Sequence, residues 1–327
     1  MRRYLLRRLG FYGLAAWAAL TMNFFIPRLM PGDPATVMFA RFQGDLKPEA
    51  LTALKEAFGL TDAPLWSQYF SYLRHALQGD LGISVAYFPA PVIEVIGVGL
   101  MWTLFLAGVA MLISFSVGTL LGTIAAWRRG GWLDSLAPPA LALLGSFPYF
   151  WTAMAALFVL GFSMNLFPLR HAYGPEVHPG LNLDFILSAL RHAVLPAGTM
   201  VLASLGGWML SMRNTMIGVL GEDYIAYAYA RGLSDRRIMI HYAARNAMLP
   251  SLTGFGMALG FVLSGALLTE IVFSYPGQGY LLLQAVQSQD YPLMQGLFLT
   301  ITLAVLLANW LVDLVTALLD PRTRGDS

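Results

Sequence analysis

No cysteine occurs in the 327 residues, which excludes disulfides, thiolate metal sites and cysteine nucleophiles. Lysine is nearly as scarce: only Lys47 and Lys55 occur, preceded by Leu46 and Leu54. A phosphate-binding loop needs GxxxxGK[ST], so that backbone amides and a lysine can hold the phosphates. Without a glycine-lysine pair this chain has no such loop. Neither HExxH nor GxSxG is present, which removes two common hydrolytic signatures. The five histidines (75, 171, 178, 192 and 241) lack tight ligand spacing. His171 and His178 are the nearest to a metal pair, and loop histidines ordinarily go unliganded. No metal or cofactor is therefore expected in this chain. Charge is also short. Only 12% of the residues are charged, against about 25% in a soluble domain, and the net charge of +2 gives no argument for nucleic acid.

What the chain has instead is long apolar runs, with 57% hydrophobic residues. Windows of about 20 residues place six membrane spans. They cover about Leu9–Leu29, Gly99–Trp127, Pro138–Phe162, His192–Met212, Leu252–Phe273 and Pro292–Leu318. The first run is longer than the apolar core of a signal peptide and lacks a following cleavage site, so it reads as an uncleaved span. Gly118 with Gly122, and Gly256 with Gly260, have the spacing that lets helix backbones approach closely, although a glycine-rich membrane chain also produces such pairs by chance. Thirteen of the twenty Lys and Arg residues fall on the side that holds both termini; the other seven are spread through longer segments. The positive-inside rule then makes both termini cytoplasmic.

The resulting expectation is an all-α polytopic membrane protein. Residues 1–29 form the cytoplasmic amino terminus and first span, 30–98 an extracytoplasmic helical insertion, 99–318 a core of five spans, and 319–327 a cytoplasmic tail. Within the insertion, Leu51, Leu54 and Phe58 predict one amphipathic helix, ended by Gly59. Trp66, Phe70, Leu73 and Leu77 predict a second, opened by Pro64 and closed by Gly79-Asp80. A small cap packed on the spans is the plain reading; contact with a delivery protein or the outer entrance is the sharper one.

The cytoplasmic loop 213–250 carries more specific chemistry. Tyr224 to Arg231 suits a helix, and Gly232 a left-handed stop. Ser234 stands as an N-cap with Asp235 in the first turn. A basic helix is expected to follow through Arg236, Arg237, Ile238 and Ile240 until Pro250 breaks it. On physics alone a solvated loop and a rigid, bent projection are equally open.

The residues resemble a known family at this point. Ala230-Arg-Gly-Leu-Ser234, followed by His241-Tyr-Ala-Ala-Arg-Asn-Ala-Met-Leu-Pro250, is similar to the signature loop of binding-protein-dependent ABC importer permeases. The narrower resemblance is to the first permease type of the oligopeptide/dipeptide/nickel branch. It extends over nearly the whole chain through Pro31-Gly-Asp-Pro34, Phe58-Gly-Leu60, Gly79-Asp-Leu-Gly82, Trp132-Leu-Asp134, Phe273-Ser-Tyr-Pro-Gly277, Asp290-Tyr-Pro292 and Leu319-Asp-Pro-Arg322. Each motif is short; their order and spacing are specific. One departure stands out: the family loop opens Glu-Ala-Ala, where this chain has Ala226, Tyr227 and Ala228, with Glu222 and Asp223 one turn earlier.

The resemblance implies the type I importer permease fold and a subunit forming half of a translocation pathway in a bacterial or archaeal inner membrane. It implies a second permease, two ATPase subunits that carry ATP and Mg, and an external solute-binding protein as partners. Gly232 to Ile240 would be the helix docked on the ATPase, with Gly232 allowing the bend and Arg236 and Arg237 pairing with acidic groups or simply anchoring the loop. Peptides are the implied solute, with nickel complexes or oligosaccharides as same-branch alternatives. A self-sufficient channel or secondary carrier is the reading from a different class; it expects internal repeats or broken helices around a midplane site, and no convincing repeat is found. Glu270 and Asp313 are the ionisable groups inside spans, with Asn309 one turn before Asp313. They read as gating or packing partners, being too few for a proton relay.

Overall fold

The computed structural model describes the backbone of residues 2–30, 63–259, 262 and 266–319, and the side chains of those outside 2–7, 9 and 311–319. Among these residues the regular structure is helical, and the only strand-like pairing is an isolated bridge between Ile83 and Pro91. Three helices are long and apolar enough to cross a bilayer: Val92–Trp127, Leu183–Leu220 and Tyr291–Trp310. A fourth candidate is a bent pair. The first expected amphipathic helix, Pro31–Pro34, Gly260 of the second glycine pair and the tail 320–327 lie outside the described residues.

The helices fall into two compact units, residues 1–103 with 276–327, and residues 104–275. In the first, α1 (Arg2–Arg28) packs along α12 (Tyr291–Leu319). Helix α2 (Leu65–Leu77) clamps the end of α1 through aromatic contacts. Phe24 is fully buried against Tyr69 and Tyr72. Arg28 lies 3.7 Å over the Phe24 ring and donates to the Phe24 carbonyl at 2.9 Å. The expected stripe on α2 is therefore not the face it buries within the chain. Trp66, Phe70 and Leu77 are exposed, and the residue turned inward is Tyr69, whose hydroxyl meets Thr21 at 2.7 Å. Helical periodicity marks an apolar face without saying what covers it.

The start of α3 (Val92–Trp127), α11 (Gln278–Gln287) and the start of α12 share the core of this unit, centred on Val92, Ile96, Leu281, Leu293 and Leu297. Asp290 ties the segment before α3 to α12. Its carboxylate is fully buried and accepts from the Ser84 hydroxyl at 2.5 Å, the Ala86 amide at 2.8 Å and the Leu293 amide at 3.0 Å. The last of these is an N-cap bond, closing the first turn of α12. Burial pushes the carboxyl above its ordinary value, against the donated hydrogen bonds that pull it down.

In the second unit α6 (Leu183–Leu220) is the axis on which α4 (Trp132–Ser146), α5 (Tyr149–Ala156) and α9 (Arg245–Leu259) pack. Glycines let its neighbours approach. A Cβ on Gly118 of α3 would meet the Trp208 Cβ at 2.6 Å, and one on Gly122 the Met209 carbonyl at 2.5 Å. The Gly118/Gly122 pair is thus a close-contact face on α6. A straight span over Pro138–Phe162 is not what forms. Helix α4 stops at Ser146, and α5 with its π-helical continuation Leu157–Ser163 sets off at 93° to it. Pro148 is the cause: it pushes Phe147 into extended backbone (φ −77, ψ 140) and has no amide with which to continue α4. Helix α6 also outruns its expected end at Met212, so Arg213–Leu220 is helix rather than loop.

Asp290→Ala removes three acceptor interactions from a buried site and is expected to cost about 3 kcal/mol; Ser84→Ala should cost about 1 kcal/mol. Because the two share the Ser84–Asp290 bond, the double variant should lose less than the sum of the single losses, the remaining difference from Asp290→Ala being the bond from the Tyr87 amide to Ser84. Thermal unfolding of the detergent-solubilised protein measures all three. Additive losses would count against the latch.

Candidate functional site

The loop after α6 folds as a compact knuckle. Helix α7 (Asp223–Ala230) opens with Glu222 and Asp223, whose charges suit a helix amino terminus. It closes in a Schellman turn: the Gly232 amide donates to the Tyr229 carbonyl at 2.9 Å and the Leu233 amide to the Ala228 carbonyl at 3.3 Å. Gly232 sits at φ +73, which a side chain resists, and a Cβ there would meet nothing within 4 Å. The demand for glycine is therefore conformational. The expected stop is met, and Leu233 folds back onto the loop core.

Ser234 occupies the N-cap position of the one-turn helix α8 (Asp235–Arg237) in extended backbone, but its side chain makes no cap bond. The chain then passes through a π-helical segment, Ile238–Ala244, into α9. Pro250 does not end this run. It lies inside α9, within the second turn, so the basic helix and the following span form one continuous helical path. The π segment shifts the register by about one residue relative to α-helix and turns Ala243, Ala244 and, in α9, Ala247 inward.

The knuckle has its own core. Ile225 and Ala228 of α7, Ile238, and those three alanines pack with Met212 and Met216 of α6. Asn246 adds a strut, donating to the Tyr224 hydroxyl at 3.0 Å and the Tyr242 carbonyl at 2.9 Å. Of the predicted residues, Ile238 is fully buried and structural. Ala230, Arg231, Asp235, Arg236, Arg237 and Ile240 face outward. Arg231 lies 6.0 Å from the Tyr227 ring centroid. Ser234, Arg236, Arg237, Ile240, His241 and Arg245 border an open basin of about 810 Å³. The outward face thus combines arginines with exposed Tyr227 and Tyr229. Arg and Tyr are enriched at protein interfaces and in their energetic centres. The tyrosines are read from sequence only as helix-compatible; their i, i+2 spacing in a helix whose inward residues are Ile225 and Ala228 is the signal that could have found them.

Sequence reading also missed a brace. Arg213, counted only for orientation, donates from Nε to Asp134 at the start of α4, and the Gly130 amide donates to the same carboxylate at 2.9 Å. The Arg213 hydrogen bond, then that of Gly130, holds the Asp134 carboxyl below its usual value. Glu270 is fully buried in α10 (Leu267–Val272). Asn309 is half-buried on α12, and the Asp313 side chain lies outside the described set.

Comparison with known proteins places this loop in context. The family described as binding-protein-dependent transport system inner membrane component matches residues 118–325. The chain is 36% identical to the dipeptide transport system permease protein DppB of Escherichia coli (strain K12), over 99% of both chains. It is equally 36% identical to the di/tripeptide transport system permease protein DppB of Pseudomonas aeruginosa (strain UCBPP-PA14), again over 99% of both. A probable D,D-dipeptide transport system permease of E. coli K12 is 34% identical over 92% of this chain and 91% of its own.

The Asp134–Arg213 brace has a pH signature. A depressed carboxyl contributes stability that is present above the unfolded value near 3.9 and lost as pH falls through the folded one. Wild type should exceed Asp134→Asn by about 1–2 kcal/mol from neutral pH down to about 5, with the gap closing below about pH 4. Melting curves across that range test it; a gap that closes near neutral pH would contradict the assignment.

Proposed function

The chain belongs to the binding-protein-dependent ABC importer permeases, and from that premise we propose that it forms half of a peptide translocation pathway driven by separate ATPase subunits. Its solute is a dipeptide or similarly short peptide, handed over by an external binding protein, and a second permease completes the pathway. This reading takes six spans with both termini in the cytoplasm, which puts the thirteen Lys and Arg residues counted above on the inner face. The named substrates of the relatives support the solute class. ATP and Mg belong to the ATPase partners, consistent with a sequence that lacks a glycine-lysine pair.

The observation that carries the proposal is the Gly232 knuckle. A docking element has to transmit force, and so has to be stiff and exposed together. Here the Schellman turn, the Asn246 strut and the alanine-methionine core supply stiffness. Arg231, Arg236, Arg237 and Ile240 supply a surface that suits an acidic-rimmed groove on the ATPase. Glu270, buried in α10, serves packing or gating, and Asn309 and Asp313 serve the same purpose on α12.

The test is uptake of a labelled dipeptide into vesicles containing the full transporter with its binding protein. Wild type should show ATP-dependent uptake that requires the binding protein. Gly232→Ala carries only the strain of its backbone, about 1–2 kcal/mol, and should retain most transport. Gly232→Pro forbids φ +73 and deletes the amide that bonds Tyr229, so it should insert normally yet abolish transport and stimulated ATP hydrolysis. Uptake indifferent to ATP, or normal uptake by Gly232→Pro, would sink the reading.

A further inference from the structure

A cavity of about 350 Å³ opens inside the second unit, between α3, α5, α6 and α9. Two helices each offer it one face: Ala107, Met111 and Ser114 from α3, spaced four and three residues apart, and Met200, Ser204 and Trp208 from α6, spaced four apart. Trp208 is held in place rather than free to swing. Its ring stacks edge-on to Phe115 at 5.2 Å, and Phe115 packs on Phe255 at 4.5 Å. The Ser114 and Ser204 hydroxyls donate to carbonyls within their own helices, at 3.1 and 2.9 Å, leaving their oxygens able to accept. Among the described residues, none lining the cavity is charged.

We propose that this cavity is a side-chain recess in the solute pathway, which takes the apolar or aromatic side chain of a passing dipeptide and excludes its charged termini. Its volume is at the lower end of the range for small-ligand pockets, and its mainly apolar lining with a few hydroxyls is typical of them. An ionised amine or carboxylate placed there would lose water and meet only neutral hydroxyls, with no counter-charge on the described lining. The recess also sits where ATP-driven motion has to arrive. Helix α6 runs unbroken from Met200 and Trp208 at the cavity to Met212 and Met216 in the knuckle core, and α9 joins Ala258 at the cavity to Ala247 in that core. Two of the helices that wall the recess, α6 and α9, therefore root in the proposed ATPase-docking loop.

This inference rests on the permease reading, and the test separates the two. Ser204 is exposed to the cavity, so Ser204→Phe fills it with little strain. In the complete reconstituted transporter, Ser204→Phe should lower ATP-dependent uptake of leucyl-phenylalanine at least tenfold while diglycine uptake stays within about twofold of wild type. Equal loss of both peptides, or loss of neither, would overturn the recess and leave the permease standing. Absence of ATP-dependent uptake of either peptide by wild type would overturn both. A second measurement does not depend on the variant folding: glycyl-benzoylphenylalanine, photolysed during turnover by wild type, should cross-link to peptides containing Met111 or Met200. Cross-links in this chain that avoid both would overturn the recess.

Discussion

A bilayer interior offers no partner for a peptide N–H or C=O, so every backbone group at that depth has to be satisfied by the chain itself. The rest of the structure follows from that constraint. It accounts for the helices of 36 and 38 residues in α3 and α6, and for the way irregular backbone is confined. At about 1.5 Å per residue α6 is roughly 57 Å long, nearly twice the hydrocarbon thickness of about 30 Å. Its surplus has to project, and the projecting end is what the knuckle is built on. Where the helical path does break, at Phe147-Pro148, it breaks at a residue that has no amide to leave unpaired.

Without a hydrophobic drive between helices in lipid, contact has to come from close approach. The second unit shows how this is arranged around α6. Gly118 and Gly122 let α3 rest on the backbone of Leu205, Met209 and Arg213, and Gly206 admits the Leu141 backbone of α4 from another side. The same packing that seats α3 against α6 at Gly118 leaves room nearer Ala107 and Ser204, where small residues face each other without meeting. Tight contact and cavity are two consequences of one small-residue face. The methionines at 212 and 216 then fill the less regular space where α6 meets the knuckle, a role suited to an unbranched, adaptable side chain.

Much of this was legible in the residues. The helical membrane class followed from composition, and the stop at Gly232 followed from a glycine after a helix-forming run. The family resemblance rested on ordered motifs along the whole chain. What was not legible shares a physical reason: it depends on what lies across from a residue. Periodicity found the apolar stripe on α2 but not that Tyr69 is the residue buried against α1. Asp134 and Asp290 were noticed inside short motifs, yet their roles lie in bonds to Arg213 and Ser84, 79 and 206 residues away. Pro250 was read as a helix breaker by local rule. The structure absorbs it inside α9, where only the bond from its missing amide is lost and tertiary packing holds the helix on either side.

The continuity through Pro250 changes how the loop has to work. A helix ending there would have left a hinge between the proposed docking surface and the span, and motion at the knuckle would be dissipated in it. Instead the path from Asp235 to Leu259 is helical throughout, with a π segment as its only irregularity. A π segment keeps its amides bonded while altering the twist, so it can rotate one face relative to the next without uncoupling them. Displacing Arg236 and Ile240 therefore has to move α9, and through Met212 and Met216 it has to move α6 as well. Force applied at the surface would therefore reach the span by continuous helix, and the Schellman turn at Gly232 holds α7 against that path.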